Sequence, residues 1–71
     1  MERIPVQSSN LASVGYESGT STLEIEFLSG SIYQYFGVPQ AVYEDLMNAS
    51  SKGSYFYHQI RDAGYSYAKI A

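Results

Sequence analysis

The segment TLEIEFLSGSIYQYF constrains the fold more than any other part of the chain, because it has the pattern of two strands joined by a tight turn. Leu23, Ile25 and Phe27 alternate with Glu24 and Glu26, which is typical of a strand with one buried and one solvated face. The run IYQYF follows a turn that contains glycine. The segment therefore predicts an antiparallel hairpin whose two glutamates lie on a wet, solubilising face.

The length of the turn decides which face of the hairpin the tyrosines occupy. A two-residue loop, Ser-Gly, would place Tyr33 and Tyr35 beside the glutamates. A three-residue loop, Leu-Ser-Gly, uses a left-handed glycine and pairs Tyr33 with Ile25 and Gln34 with Glu24. A slip of one residue exchanges the two faces entirely. We favour the three-residue loop because it pairs polar Gln34 with polar Glu24. In this register both tyrosines belong to the core.

The rest of the chain adds one strand and two helices to this hairpin. The run NLASVGYES has the alternation of a strand, and VPQAVYEDLMNAS and SSKGSYFYHQIRDAG have helical periodicity. Ser51 or Ser54 can cap the second helix, and Gly64 is a stop signal. The run YSYAKIA is either a short strand or an extended tail.

These elements predict an α+β fold: a three-stranded antiparallel meander followed by two short helices packed on one face, with an extended C-terminal tail. We expect residues 1–7 to form a flexible N-terminal arm and residues 8–71 to form a single domain.

Composition excludes several classes of protein. The chain has 71 residues and no cysteine, which excludes disulfides and cysteine-based zinc sites. It contains no apolar run of about 18 residues and starts without the apolar region of a secretory signal. We therefore expect a cytoplasmic protein with no membrane partner, no cofactor and no metal.

Charge and tyrosine content single out the last third of the chain. The net charge is −3 overall, yet residues 51–71 contain Lys52, Arg61 and Lys69 against one acid, Asp62. Four of the eight tyrosines lie in the same segment, and stacked aromatic rings can offset a small number of phosphate contacts. The candidate nucleic-acid-binding residues are Lys52, Gly53, Tyr55, Tyr57, His58, Arg61, Tyr65, Tyr67 and Lys69.

The run SSKGSYF has two interpretations. Free backbone N–H groups at the start of a helix, together with Lys52, could bind an anion. The simpler interpretation is a serine cap with Gly53 in a tight turn between helices. We favour the second.

The ordered segments SSNLASVGY, TLEIEFLSGSIYQYFGVP, VYEDLMNASSKGSYF and IR resemble the KTSC domain. That family is named for a module at the C-terminus of some lysyl-tRNA synthetases, and it also occurs as small single-domain bacterial and phage proteins. The resemblance covers roughly residues 8–67. It departs at Tyr57, where the family usually has asparagine, and at Ser66, where the family often has proline. The resemblance implies a fold and, through the synthetases, suggests RNA binding.

We therefore predict a small non-catalytic module that binds single-stranded or structured RNA through its basic, tyrosine-rich third. The alternative is a protein-interaction module or homodimer, because a short meander has exposed edges. A third hypothesis, an enzyme with His58 as general base, ranks well below these two, because the neighbours of His58 are ordinary helix-surface partners.

Overall fold

The computed structural model describes all residues from Met1 to Ala71. The elements are β1 (Ile4–Pro5), β2 (Leu11–Glu17), β3 (Thr22–Phe27), β4 (Ile32–Phe36), α1 (Gln40–Asn48), α2 (Lys52–Gln59), a 3₁₀ turn (Arg61–Ala63) and β5 (Ser66–Lys69). The strands form one antiparallel sheet in the order β1-β2-β3-β4-β5. The α+β class is confirmed, and the prediction of three strands is wrong because the sheet has five.

Both additional strands come from the ends of the chain. In β1 only Ile4 and Pro5 pair with β2, and two residues are too few to show an alternating pattern. Pro5 is tolerated because β1 is an edge strand, where a missing N–H removes no internal hydrogen bond. The segment YSYAKIA, predicted as either a short strand or an extended tail, forms β5 and pairs with β4. It therefore covers an edge that the predicted meander would have left open.

The hairpin between β3 and β4 has the three-residue loop that we favoured. Tyr33 lies opposite Ile25, and Gln34 lies opposite Glu24. The Phe27 N–H donates to the Ser31 carbonyl at 2.9 Å, which closes the loop. The glycine at the end of the loop, residue 30, has a φ of 97°, in the left-handed region that glycine adopts without strain.

The two helices pack against one face of the sheet, as predicted. Leu46 from α1, Phe56 from α2 and Ile60 are buried with the strand residues. The buried cluster consists of Leu11, Val14, Leu23, Ile25, Tyr35, Val38, Leu46, Phe56 and Ile60. Neither helix has the length and apolarity that crossing a membrane requires.

The ends of the helices follow local signals. The Ser51 hydroxyl accepts a hydrogen bond from the Ser54 N–H at 3.4 Å, so Ser51 caps α2. The second helix is shorter than predicted, since α2 ends at Gln59 and a 3₁₀ turn follows. Gly64 then terminates that turn with a φ of 89°. Glycine meets no steric cost in this conformation.

The other face of the sheet is not the open, solvated surface that alternating glutamates predicted. The side chain of Glu24 is buried there, with 5% of the residue exposed. Residues 1–3 cross this face above Gly15, where a Cβ would lie 2.7 Å from the Glu2 carbonyl oxygen. Glycine at this position of β2 therefore makes room for the start of the chain.

The first residues of the chain supply the partners that the buried Glu24 needs. The Arg3 guanidinium pairs with its carboxylate, and the Gln34 amide donates to it at 2.8 Å. Burial by itself raises the pKa of Glu24. The hydrogen bonds from Gln34 and Arg3, with the positive charge of Arg3, outweigh that effect and lower the pKa below its ordinary value.

Candidate functional site

A groove of about 640 Å³ opens between α2, the 3₁₀ turn and the strands β4 and β5. Its surface is mainly aromatic, with tyrosines from three elements, and we call it the tyrosine groove. The lining residues are Asn10, Phe27, Ser29, Ser31, Tyr33, Tyr35, Phe56, Tyr57, Arg61, Asp62 and Tyr67.

The floor of the groove results from the two-residue period of β4. Tyr33 and Tyr35 point to the same face of the sheet, and their rings stack with centroids 6.4 Å apart. Pairing of β4 with β5 places Tyr67 directly opposite Tyr35. The centroid of the Tyr67 ring consequently lies 5.6 Å from that of Tyr35 and 6.1 Å from that of Tyr33. Three tyrosines from two strands form one continuous aromatic surface.

These tyrosines differ greatly in accessibility. The Phe56 ring from α2 packs against the Tyr35 ring in a T-shaped contact with centroids 5.5 Å apart, and Tyr35 is only 5% exposed. Tyr33 is half-buried. At the rim, 64% of Tyr67 and 46% of Tyr57 are exposed. Tyr35 thus belongs to the core as predicted, whereas Tyr67 and Tyr57 present ring surface to solvent.

The groove contains one cation, which is held by an aromatic ring. The guanidinium carbon of Arg61 lies 4.2 Å from the centroid of the Tyr57 ring, a cation–π contact. The two residues are four apart in sequence, so they meet on one side of the chain where α2 passes into the 3₁₀ turn. The neighbouring Tyr57 raises the pKa of Arg61. The cation–π contact places the guanidinium at the rim, where an arginine side chain stays charged at ordinary pH.

The Tyr35 hydroxyl, at the floor of the groove, is uncharged near neutral pH. Burial raises the pKa of Tyr35, and the neighbouring hydroxyls of Tyr33 and Tyr67 raise it further. A tyrosine with a raised pKa is fully protonated near neutral pH. The Tyr35 hydroxyl can therefore donate and accept hydrogen bonds without carrying charge.

The polar residues of the lining also include Asn10, Asp62, Ser29 and Ser31. The Asn10 side-chain oxygen accepts from the Ser8 hydroxyl at 3.2 Å. The Asp62 carboxylate accepts no hydrogen bond from the protein, and the chain's one ion pair is that between Arg3 and Glu24. No group of three or more His, Asp and Glu side chains is arranged to hold a metal ion.

Three of the nine predicted site residues line the groove. Tyr57, Arg61 and Tyr67 meet there although α2 and β5 are separate elements. The sequence reasoning missed Tyr33 and Tyr35 as groove residues, because it assigned both to the core. The remaining groove residues that it missed are Asn10, Phe27, Ser29, Ser31, Phe56 and Asp62.

Six predicted residues lie outside the groove lining. The Lys52 ammonium donates to the Ala49 carbonyl at 3.1 Å, at the turn between the helices. Tyr55 and Tyr65 pack against the core. Burial and then the charge of Asp45 raise the pKa of Tyr55.

His58 and Lys69 are exposed near the groove, and Gly53 lies against a loop. The His58 ring meets the Tyr57 ring edge-on at 5.6 Å, and Lys69 pairs in register with Tyr33. A Cβ on Gly53 would lie 2.3 Å from the Asn10 side-chain oxygen. The glycine therefore allows α2 to begin directly against the loop before β2.

A family model described as the KTSC domain matches residues 7–65. The chain belongs to the KTSC domain family. Its fold is also close to the crystal structure of a KTSC domain protein from Yersinia pestis. The two are 38% identical with a TM-score of 0.93, over 99% of this chain and 97% of the other.

Sequence relatives of this KTSC domain fall into two kinds. An uncharacterized protein of Stutzerimonas stutzeri is 40% identical over 99% of both chains. A lysine–tRNA ligase of Trichormus variabilis is 59% identical over 46 residues, which are 65% of this chain and 8% of the ligase. The lysine–tRNA ligase of Nostoc punctiforme is 54% identical over 50 residues, 9% of its length. The match is thus confined to a small part of each ligase.

The structure explains why two separated segments of the KTSC resemblance occur together. The Ser8 hydroxyl accepts hydrogen bonds from the N–H groups of Asn10 and Leu11, at 3.3 and 3.2 Å. This turn holds Asn10 against Gly53 at the start of α2. The Ser-Ser-Asn and Ser-x-Gly-x-Tyr-Phe segments are therefore two sides of one contact, at one end of the tyrosine groove.

Proposed function

We propose that this KTSC domain is a non-catalytic module that binds single-stranded RNA in the tyrosine groove. The observation that carries the proposal is the pair of exposed rings, Tyr57 and Tyr67, beside a fixed guanidinium and over an aromatic floor. Bases of single-stranded RNA are bound by stacking on aromatic rings and on arginine planes. The relatives named as lysine–tRNA ligases support RNA as the ligand, because tRNA is in their name.

The charge of the groove argues for stacking rather than phosphate contacts as the main source of affinity. Arg61 is the one cation in the lining, and Lys69 is the exposed cation nearest along β5. For single strands the logarithm of affinity falls by about 0.7 per phosphate contact for each tenfold rise in salt. One or two contacts therefore predict only about a three- to sevenfold loss of affinity between 50 and 200 mM salt.

Titration of the protein into short fluorescent RNA oligonucleotides, read by anisotropy, tests the proposal. Tyr67→Ala and Tyr57→Ala should each weaken binding by about 5- to 150-fold, as expected when one stacked base is lost. Phe36→Ala is the matched control, because Phe36 is an exposed ring on the opposite face of β4. It should leave the affinity unchanged. An absence of binding at 50 mM salt, or equal losses in all three variants, would exclude the tyrosine groove as an RNA site.

A protein-interaction role is the second candidate, and the free edge of the sheet favours it. The strand β5 pairs with β4 on one side only, and all four of its residues are exposed. Ile70, next to it, is 49% exposed. Unpaired edge strands can add a strand from a second chain. Light scattering at micromolar concentration should then show a dimer, and a monomer that retains no partner in a pull-down would contradict this role.

A further inference from the structure

We infer that the tyrosine groove discriminates among RNA bases, and that Asp62 is the residue that favours guanine over uracil. This inference rests on the proposed function, since it concerns which base the same groove binds. Its basis is a carboxylate without a protein partner, placed beside aromatic rings that can stack a base.

Asp62 is a carboxylate with no protein partner in the lining of the groove. Its side chain is exposed in the 3₁₀ turn and forms no ion pair with the adjacent Arg61. The Arg61 guanidinium lies over the Tyr57 ring instead. An ionised carboxylate has only acceptor sites. It therefore repels phosphate and accepts hydrogen bonds, so within this groove it suits the donor edge of a base.

The four bases differ in the hydrogen-bond donors that they can offer to a carboxylate. Guanine carries two adjacent donors on its Watson–Crick edge, N1–H and the N2 amino group, which match the two oxygens of a carboxylate. Cytosine and adenine each offer one amino group beside an acceptor nitrogen. Uracil offers a single N3–H between two carbonyl oxygens, and both carbonyls repel a carboxylate. The order of affinity should therefore be guanine first and uracil last.

The remaining acceptor of guanine, the O6 atom, needs a donor from the protein. Asn10 lines the same groove, and its side-chain oxygen is occupied by the Ser8 hydroxyl. Its amide nitrogen donates to no protein group and is therefore free to donate to a bound base. The two carboxylate oxygens of Asp62 and one donor from Asn10 together complement the guanine edge.

Four RNA pentamers of sequence UUXUU, with X as G, A, C or U, test the inference by anisotropy. The wild-type protein should bind UUGUU at least about fivefold more tightly than UUUUU, the low end for a bidentate base contact. Asp62→Asn should reduce this preference to within about twofold and should strengthen binding of UUUUU, because the replacement removes a negative charge next to uracil. Asp45→Asn is the matched control, since Asp45 is an exposed acid outside the lining. It should keep the preference for guanine.

The outcomes separate this inference from the proposed function. Equal binding of all four pentamers, or a guanine preference that survives in Asp62→Asn, would overturn the role of Asp62 and leave RNA binding standing. Failure of every pentamer to bind would overturn both. Amide NMR shifts provide a second readout: UUGUU should shift the signals of Asn10 and Asp62, and UUUUU should shift mainly those of Tyr57 and Tyr67.

Discussion

Arg3→Ala should destabilise the fold although Arg3 precedes the region that the KTSC family model covers. The substitution removes the ion-pair partner of Glu24 and the hydrogen bond from the Arg3 Nε to the Ser13 hydroxyl at 3.0 Å. Glu24 would keep one protein donor, Gln34. Its side chain is 6% exposed, whereas that of Arg3 is 28% exposed. The pair is therefore buried on one side only.

The magnitude follows from this one-sided burial. A buried charge that loses a hydrogen-bonding partner costs about 1–3 kcal/mol, and fully buried pairs cost about 3–5 kcal/mol when one partner is removed. The lower range applies here because the Arg3 side chain is partly solvated. For a domain of this size the same loss lowers Tm by roughly 4 to 24 °C. Lys69→Ala is the matched control, since it removes an exposed cation that forms no ion pair. It should change stability by less than about 0.5 kcal/mol.

The effect of Arg3→Ala should depend on pH in a defined direction. The pKa of Glu24 in the folded protein lies below its ordinary value of 4.5. Its contribution to stability is therefore fully present above that value and is lost as the pH falls through the folded pKa. Thermal melts at pH 7 and pH 2 should show a large difference between wild type and variant at pH 7 and a smaller one at pH 2. A difference below about 0.5 kcal/mol at pH 7 would mean that water replaces Arg3 without cost, and would refute this reasoning.

Two further predictions concern tyrosines. Tyr35→Ala should lower the free energy of unfolding by about 3–5 kcal/mol because the ring is buried. Tyr67→Ala should lower it by less than about 1 kcal/mol because that ring is largely exposed. Equal shifts of the two variants in urea melts would contradict this difference in burial. Tyr16→Phe should cost about 1 kcal/mol, since the Tyr16 hydroxyl donates to the Val38 carbonyl at 2.6 Å. The Tyr43 ring stacks on the Tyr16 ring with centroids 4.9 Å apart, but its hydroxyl forms no hydrogen bond with the protein. Tyr43→Phe should therefore leave stability unchanged in the same melts.

The features that the sequence determined by itself are those fixed by neighbouring residues. The three-residue loop was predictable because its glycine can adopt a left-handed conformation. The alternation of polar and apolar residues in both strands then determines which residues pair. The cap at Ser51 and the stop at Gly64 were predictable for the same reason. Each depends on a few residues that meet within one turn, so the pattern along the chain contains the whole signal.

The burial of Glu24 was decided by tertiary structure. Alternation correctly placed it on the face opposite Leu23 and Ile25, but that face is solvated only if nothing covers it. Residues 1–3 cover it because Gly15 leaves room for their backbone. No local pattern links Arg3 to Glu24, which are 21 residues apart.

The tyrosine groove was likewise decided by tertiary structure. Its surface exists because β5 pairs with β4 across the two intervening helices and sets Tyr67 against Tyr35. The helices cover only part of the sheet face, so Tyr33 is half-buried in the groove rather than enclosed in the core. Pairing between strands that are distant in sequence depends on the packing of the whole chain. The periodicity of either strand by itself therefore does not predict its partner.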